Sequence, residues 1–374
     1  MDVELSLQQQ VIQSTARDFF AAHCPLSRVR ELEADDLGYC PELWRRMGEL
    51  DWLGLTYPEA LGGAGGELLD LFAIYLEMGR ALVPSPHLAS AVLVGETLLR
   101  GGSEPQRREL LPRLARGEAI AVPALLEPEG AYGPGGIQLA AAPEGSGYRL
   151  DGAKILVPFA HVAEEILVAA RTGPGPDGVT LFLVPAGAPG VKAERQANIA
   201  GYPLFALLFE GARVPAAAAV GEVGRGFSLL EPVLDRAALL QCAEITGAGE
   251  RMLEMSLHFA RDRVQFGSPV GRYQAVQYLC SDIAIATHLT SLLARQAAWR
   301  ADAGLPHRRE VALAAAWASE AAQLVAHRAH EVQAGHGFML ENDLQLFTRR
   351  AKHWEYNLGD ARYHRERVAA ALEG

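Results

Sequence analysis

The chain has 374 residues, of which 49% are apolar and 21% charged, and carries a formal net charge of -11. That size admits two or three domains with substantial cores, and the sign of the charge argues against a nucleic-acid partner, which needs a basic surface to neutralise phosphates. No apolar run reaches bilayer-spanning length, and the acidic, polar start MDVELSLQQQ is unlike a signal or transit peptide. Cys24, Cys40, Cys242 and Cys280 are too scattered for a disulfide framework or a zinc site, so no metal is expected and a reducing cytoplasm is the default compartment.

In chain order, residues 1–118 show apolar positions at helical spacing, as in VIQSTARDFFAAH and LLDLFAIYLEMGRALV, punctuated by YPEALGGAGG. This predicts an N-terminal all-α domain. Residues 119–220 change character: AIAVPALL, YRLDGAKILV, EEILVAAR and VTLFLVPA are separated by EPEGAYGPGG, PEGSG and TGPGPDG. Short runs between turn clusters predict a middle β-sandwich or barrel, with AAAPEG and PAAAAVG as small-residue loops. Over residues 221–374 the helical period returns, broken near Gly267–Gly271, Gly304–Pro306 and Gly335–Gly337. Those breaks predict a C-terminal four-helix bundle. The fold class is therefore α+β and multidomain.

One turn in this last segment carries more than a turn requires. In ARDRVQFGSPVGRYQAVQ, residues 260–277, backbone geometry accounts for Gly267 and Pro269. It does not account for Arg263, Gln265 and Phe266, which suit contact with something flat and charged. The plainer alternative pairs Arg263 with Asp262 or Glu254 and puts Phe266 in the core.

The stretch closely resembles the C-terminal signature of the flavin-dependent acyl-CoA dehydrogenases. LDWLGLTYPEALGGAGG, ALLEPEGAYG, GYRLDGAKILVPFAHVAEEILVAAR and EVQAGHGFMLENDLQLFTRRAK resemble further motifs of that family, in the same order. The resemblance implies the all-α, all-β, helical-bundle order, FAD as cofactor and an acyl-CoA substrate oxidised to a trans-2-enoyl thioester. It also implies an electron-transfer flavoprotein as electron acceptor and a homo- or heterotetramer. By the same resemblance Arg263 meets the FAD pyrophosphate across a subunit interface, since an arginine fork suits phosphate. Gln265 would hydrogen-bond the cofactor, Phe266 would pack on it, and Gly335 would allow close backbone approach.

Several positions depart from the family pattern. Leu126 stands where a hydroxyl residue precedes Glu127-Pro128, and Tyr132 where serine is usual. Leu156 and Pro158 replace tryptophan and threonine, and a proline has no N–H to donate. Glu331 replaces a neutral amide, and a carboxylate near a pyrophosphate repels it unless compensated. The turn that reaches a neighbour is thus kept while the chain's own flavin contacts look eroded. That asymmetry raises an alternative, a partner subunit of an α2β2 assembly that lends FAD contacts across the interface.

The reaction needs a carboxylate to take the α-proton and hydrogen bonds to polarise the thioester carbonyl. Leu358 occupies one familiar glutamate position and Ala237 another. Glu244 lies about two turns beyond Ala237 on the same helical face, among Cys242, Ala243, Ile245 and Gly247. Apolar surroundings raise a carboxyl pKa, which makes Glu244 the candidate base. The competing reading pairs it structurally with Arg236 or Arg251. Glu355 is the second candidate, more simply explained by the basic residues beside it. The small residues on this helix (Ala237, Ala238, Cys242, Ala243, Gly247, Gly249) would leave room for a ring-bearing, branched or dicarboxylic acyl group. His327 and His330 lack the further ligands a metal needs. The basic run from Arg349 to Arg367 suits either phosphate binding or ion pairing.

Overall fold

The computed structural model describes residues 4–175 and 178–373, so the TGPGPDG turn lies partly outside the described residues. Ser6 and Gln9 form a reciprocal capping box, satisfying two orphan N–H groups at the start of α1 (Leu7–His23). Short helices α2 (Leu26–Ala34) and α3 (Pro41–Glu49) follow, then α4 (Leu68–Ala81), which is buried along most of its length. A π-helical segment, Leu88–Glu96, runs into α5 (Thr97–Gly101), and Ser103 caps α6 (Glu104–Ala115).

Eight strands then form one sheet: β1 (Ala121–Ala124), β2 (Ala140–Glu144), β3 (Gly147–Pro158), β4 (Glu165–Arg171), β5 (Val179–Pro185), β6 (Val191–Gln196), β7 (Leu204–Pro215) and β8 (Ala219–Val220). Their order is β6-β7-β3-β2-β4-β5-β8, with β1 added parallel to β4. The halves join where Ala140 of β2 meets Arg171 of β4. The rings of Tyr148 of β3 and Phe182 of β5 meet at 5.0 Å, tilted by 57°, so the halves face one another as in a sandwich. AAAPE, expected as loop, is β2, because its backbone ladders antiparallel onto β3 despite small side chains. The register of β3 on β7 slips between Lys154 and Val157, and Leu156 there takes a φ of 54°.

The long helices are α7 (Gly226–Asp262), α8 (Gln274–Asp302) and α9 (Arg308–Gln333). The expected fourth is two helices, α10 (Leu344–Tyr356) and α11 (Ala361–Glu373). They are divided where Leu358 and Gly359 adopt φ of 62° and 112°, outside the helical region. The Asp302 carboxylate accepts the Leu68 and Leu69 N–H groups at 2.9 Å each, tying the end of α8 to the start of α4. A Cβ added to Gly247 would lie 1.7 Å from the Leu76 carbonyl oxygen, and one on Gly79 2.0 Å from that of Glu244. Glycine is therefore what lets α4 and α7 touch backbone to backbone. Gly249 of α7 packs close against the Thr287 side chain of α8, and none of Ala237, Ala238, Cys242, Ala243, Gly247 and Gly249 lines the cavity described below. The expectation of room for a bulky acyl group on that face is thereby corrected. No helix among the described residues is long and apolar enough to cross a membrane, and the four cysteines are free thiols.

Candidate active site

A cavity of about 390 Å³ lies between the middle sheet, the start of α7 and the α10–α11 break. Phe227, Leu230 and Leu234 of α7 line it at helical spacing, and Leu93 enters from the π-helical segment. The sheet side supplies Leu125, Leu126, Leu156 and Pro158, and the far side His353, Tyr356, Asn357 and Leu358. Leu126, Leu156, Pro158 and Leu358 therefore line one space. The wall is mostly apolar, with Lys352 and His353 at one end, and contains no aspartate or glutamate among the described residues.

The loop beneath Leu126 is fixed by a buried ion pair that sequence reasoning did not single out. Lys154 Nζ bonds Glu127 Oε1 at 2.7 Å and the Leu125 carbonyl at 3.0 Å. The same Glu127 oxygen accepts the N–H groups of Gln138 and Leu139 at 2.8 Å each. Burial pulls the Lys154 ammonium down to about 8 against the attraction of Glu127. A lone lysine in the apolar run AKILV was the available signal.

Glu244 is 7% exposed and sits behind the cavity wall rather than in it. Trp354 Nε1 donates to its Oε2 at 3.1 Å. One turn earlier, Gln241 Oε1 accepts from Asn357 Nδ2 at 2.7 Å, so α7 clamps the residues that form the wall. Burial pushes the Glu244 carboxyl up to about 7, opposed by the positive charge of Arg350 and by the Trp354 hydrogen bond. Arg350 and Trp354 share a face of α10 at i, i+4. The Arg350 guanidinium lies 3.9 Å over the Tyr202 ring, with its Nε unpaired in the interior. The structural pairing with Arg236 or Arg251 does not form: Arg236 pairs with Glu96 at 2.5 Å and Arg251 with Glu254 at 3.1 Å. Glu355 pairs with Lys352 at 2.5 Å.

The turn after α7 is a small hairpin, β9 (Val264–Gln265) and β10 (Ser268–Pro269), with Phe266 at its tip. Phe266 is 94% exposed and held at φ 50°, a conformation uncommon outside glycine and asparagine. The core placement of Phe266 is thus overturned. So is the pairing of Arg263: Asp262 is engaged by His258 at 3.2 Å and Glu254 by Arg80 at 2.5 Å. No ion pair of Arg263 occurs among the described residues. Gln265 donates only to the neighbouring Val264 carbonyl, at 2.8 Å. These three side chains form an exposed group apart from the cavity lining of their own chain.

Glu331 is exposed on α9 and bonded to Arg328 at 2.7 Å, which supplies the compensation its charge would need beside a phosphate. Gly335 is exposed, and a Cβ there would meet nothing of this chain within 4 Å. His327 approaches Glu331 at 3.7 Å, and His330 bonds Thr348 at 2.6 Å while stacking on Phe338. The basic run is largely neutralised within the chain. Arg349 meets Glu33, Arg362 Glu366, Arg365 Glu320 and Arg367 Asp235, leaving Arg350 as the buried exception.

Comparison with known proteins agrees with this layout. Three family models match: acyl-CoA dehydrogenase N-terminal domain at residues 6–118, middle domain at 124–211 and C-terminal domain at 224–373. The acryloyl-CoA reductase (NADH) of Anaerotignum propionicum is 30% identical over 99% of this chain and 95% of its own. The acyl-CoA dehydrogenase FadE27 of Mycobacterium tuberculosis is 33% identical over 94% of this chain and 93% of its own. Among solved structures, the ChsE4–ChsE5 complex from Mycobacterium tuberculosis superposes with a TM-score of 0.91 at 32% identity, covering 100% of this chain and 99% of that one.

Proposed function

The chain belongs to the acyl-CoA dehydrogenase family, FAD-dependent oxidoreductases that act on acyl-CoA thioesters, and on that premise we propose that it serves Cα–Cβ oxidation at a site completed between chains. The product is a trans-2-enoyl thioester, and the electrons pass to an electron-transfer flavoprotein, in a cytoplasmic tetramer. The observation that carries the reading is the hairpin: an exposed phenyl ring, an amide and a cation without an ion pair in their own chain. Burial of an aromatic and pairing of a guanidinium with phosphate are both favourable. A cofactor held by a neighbouring chain would supply both.

The residues present fit such a cofactor in two parts. Leu126, Leu156 and Pro158 offer apolar faces to a flat ring, while Arg263, Gln265 and Phe266 suit the phosphate and adenine end of an FAD in the adjoining chain. FAD supplies the hydride acceptor when bound. The protein's part is then to exclude water with the leucine-rich wall and to take the α-proton. Glu244 is the proposed base, its carboxyl poised near neutrality in the interior. Because it stands behind the wall, the turn carrying His353, Trp354 and Asn357 must admit the thioester to it.

A second reading is favoured by the wall itself. It lacks a carboxylate, and the Leu156 N–H is spent on Gln196 Oε1 at 2.8 Å while Pro158 has none. A chain with these features would lend its hairpin to a catalytic partner and leave turnover to it. The two-chain ChsE4–ChsE5 complex among the structural relatives is consistent with that arrangement.

The test is to express the chain alone and with a second family member, desalt, and measure flavin absorbance per chain together with mass by light scattering. One flavin per chain in a homo-oligomer supports the first reading; a colourless chain that gains flavin only with its partner supports the second. In whichever assembly holds flavin, Arg263→Ala is expected to weaken flavin retention about 10–100-fold, the worth of a charged hydrogen bond. The melting temperature of the isolated chain should not change, since Arg263 has no ion pair there to lose. Unchanged flavin retention would overturn the shared site.

A further inference from the structure

Two walls of the cavity are joined by a side chain. The exposed lining residues are Ala131, Leu156, Ile199, Lys352 and Tyr356, the last half-exposed. Between the loop after β1 and the end of α10 stands Tyr132. Its hydroxyl donates to the Tyr356 carbonyl at 2.7 Å, and its ring packs on Tyr363 of α11 at 5.3 Å. The Tyr356 carbonyl lies at the C-terminus of α10, where carbonyls have no partner in the helix, so the tyrosine supplies one.

The loop is pinned at its base and punctuated by glycine at its tip. Its base is pinned by Glu127 and Lys154. Its tip lies between Gly130 and Gly133, both left-handed at φ 68° and 78°, and a Cβ on Gly130 would meet nothing within 4 Å. A ligand that fits wholly inside the cavity leaves the crossbar alone. A thioester whose acyl group sits inside and whose nucleotide arm sits outside must pass between the two walls that Tyr132 joins. Lys352, one turn before Tyr356 on α10, puts an ammonium on that route.

We propose that Tyr132 is the gate of this cavity, and that its bond to the Tyr356 carbonyl must break before an acyl thioester bearing a nucleotide arm can seat. The gate rests on the proposed function, with the acyl group entering the same cavity whose sheet side faces the flat ring, and it determines specificity by opposing armed ligands only. What opposes entry is one neutral hydrogen bond and one ring contact, so its effect on affinity is about tenfold.

The test compares two probes with the same acyl group, octanoyl-CoA and S-octanoyl-N-acetylcysteamine, by calorimetric titration of whichever assembly holds flavin. Tyr132→Ser is expected to tighten octanoyl-CoA about tenfold and to leave the N-acetylcysteamine ester within about twofold of wild type. Tyr132→Phe keeps the ring on Tyr363 and deletes only the hydroxyl. It should shift the ratio of the two affinities the same way by about threefold, and it decides the matter if the serine variant folds poorly. An unchanged ratio in both variants overturns the gate, as does failure of either probe to bind any form. A flavin-retention result against the Arg263 hairpin would leave this ratio untouched, so the two ideas fail separately.

Discussion

Glu244→Gln is expected to lower turnover about 10²–10⁴-fold, the usual worth of a general base, while leaving flavin binding and the fold in place. Glutamine keeps the shape and still accepts the Trp354 N–H that Glu244 Oε2 accepts at 3.1 Å. It cannot take a proton. The wild-type rate should rise with pH through the region of 7, because burial sets the carboxyl there and only the ionised form is a base. The same residue makes a stability prediction with a definite sign. Raised from 4.5 to about 7, it binds its proton more tightly folded than unfolded. Folding stability therefore falls as pH climbs from 4.5 through 7, by ~3 kcal/mol when complete. Glutamine escapes that loss, so the variant should gain melting temperature relative to wild type at pH 8 and not at pH 4.5. Normal turnover in the variant, with the stability signature present, would leave Glu244 a structural carboxylate and favour the partner-subunit reading.

Much of the architecture was legible because burial writes periodicity into the chain. The runs that became β1, β4 and β5 are apolar because they are covered on both faces, as in β4, where Ile166 to Ala170 are all buried. The strands that escaped notice lack that imprint. β2 is alanine-rich with a proline, β6 is an edge strand reading VKAERQ and mostly exposed, and β7 is interrupted by Gly211 in a left-handed conformation. The split of α10 from α11 turns on the backbone angles of Leu358 and Gly359, and a leucine gives no warning of positive φ.

The site was legible to the extent that its residues exceed local need. Arg263, Gln265 and Phe266 were conspicuous because a turn does not require them, and they do project away from their own chain. Relations set by how helices cross were not readable. That Trp354 and Arg350 would face Glu244 depends on how α10 lies on α7. The small residues of α7 misled for the same reason. Alanine and glycine open a pocket on one face and close a helix contact on another, and the Gly79 and Gly247 approaches show that here they close one. Tyr132 stood out as a departure from serine, but its reach to Tyr356 requires the two walls to be in place first.

Lys154→Met should destabilise the chain by about 3–5 kcal/mol, the usual result of removing one partner from a buried ion pair. Lys154 is fully buried, and without it Glu127 keeps a charge inside the sheet with only the N–H groups of Gln138 and Leu139 to meet it. Methionine fills the space of the lysine stem, so packing loss contributes little. The compensating change is not a hydrophobic residue at 127, because that would orphan both N–H groups. Glu127→Gln keeps an oxygen for one or both of them and removes the charge. The double variant should therefore recover most of the loss, and chemical denaturation of wild type, single and double variants measures it. The consequence reaches the cavity, because the Leu125 carbonyl bonded by Lys154 belongs to the strip that carries Leu126. A single variant as stable as wild type would mean that water or a rotamer change can solvate Glu127. The pair would then not be what holds the cavity wall and the base of the Tyr132 loop in position.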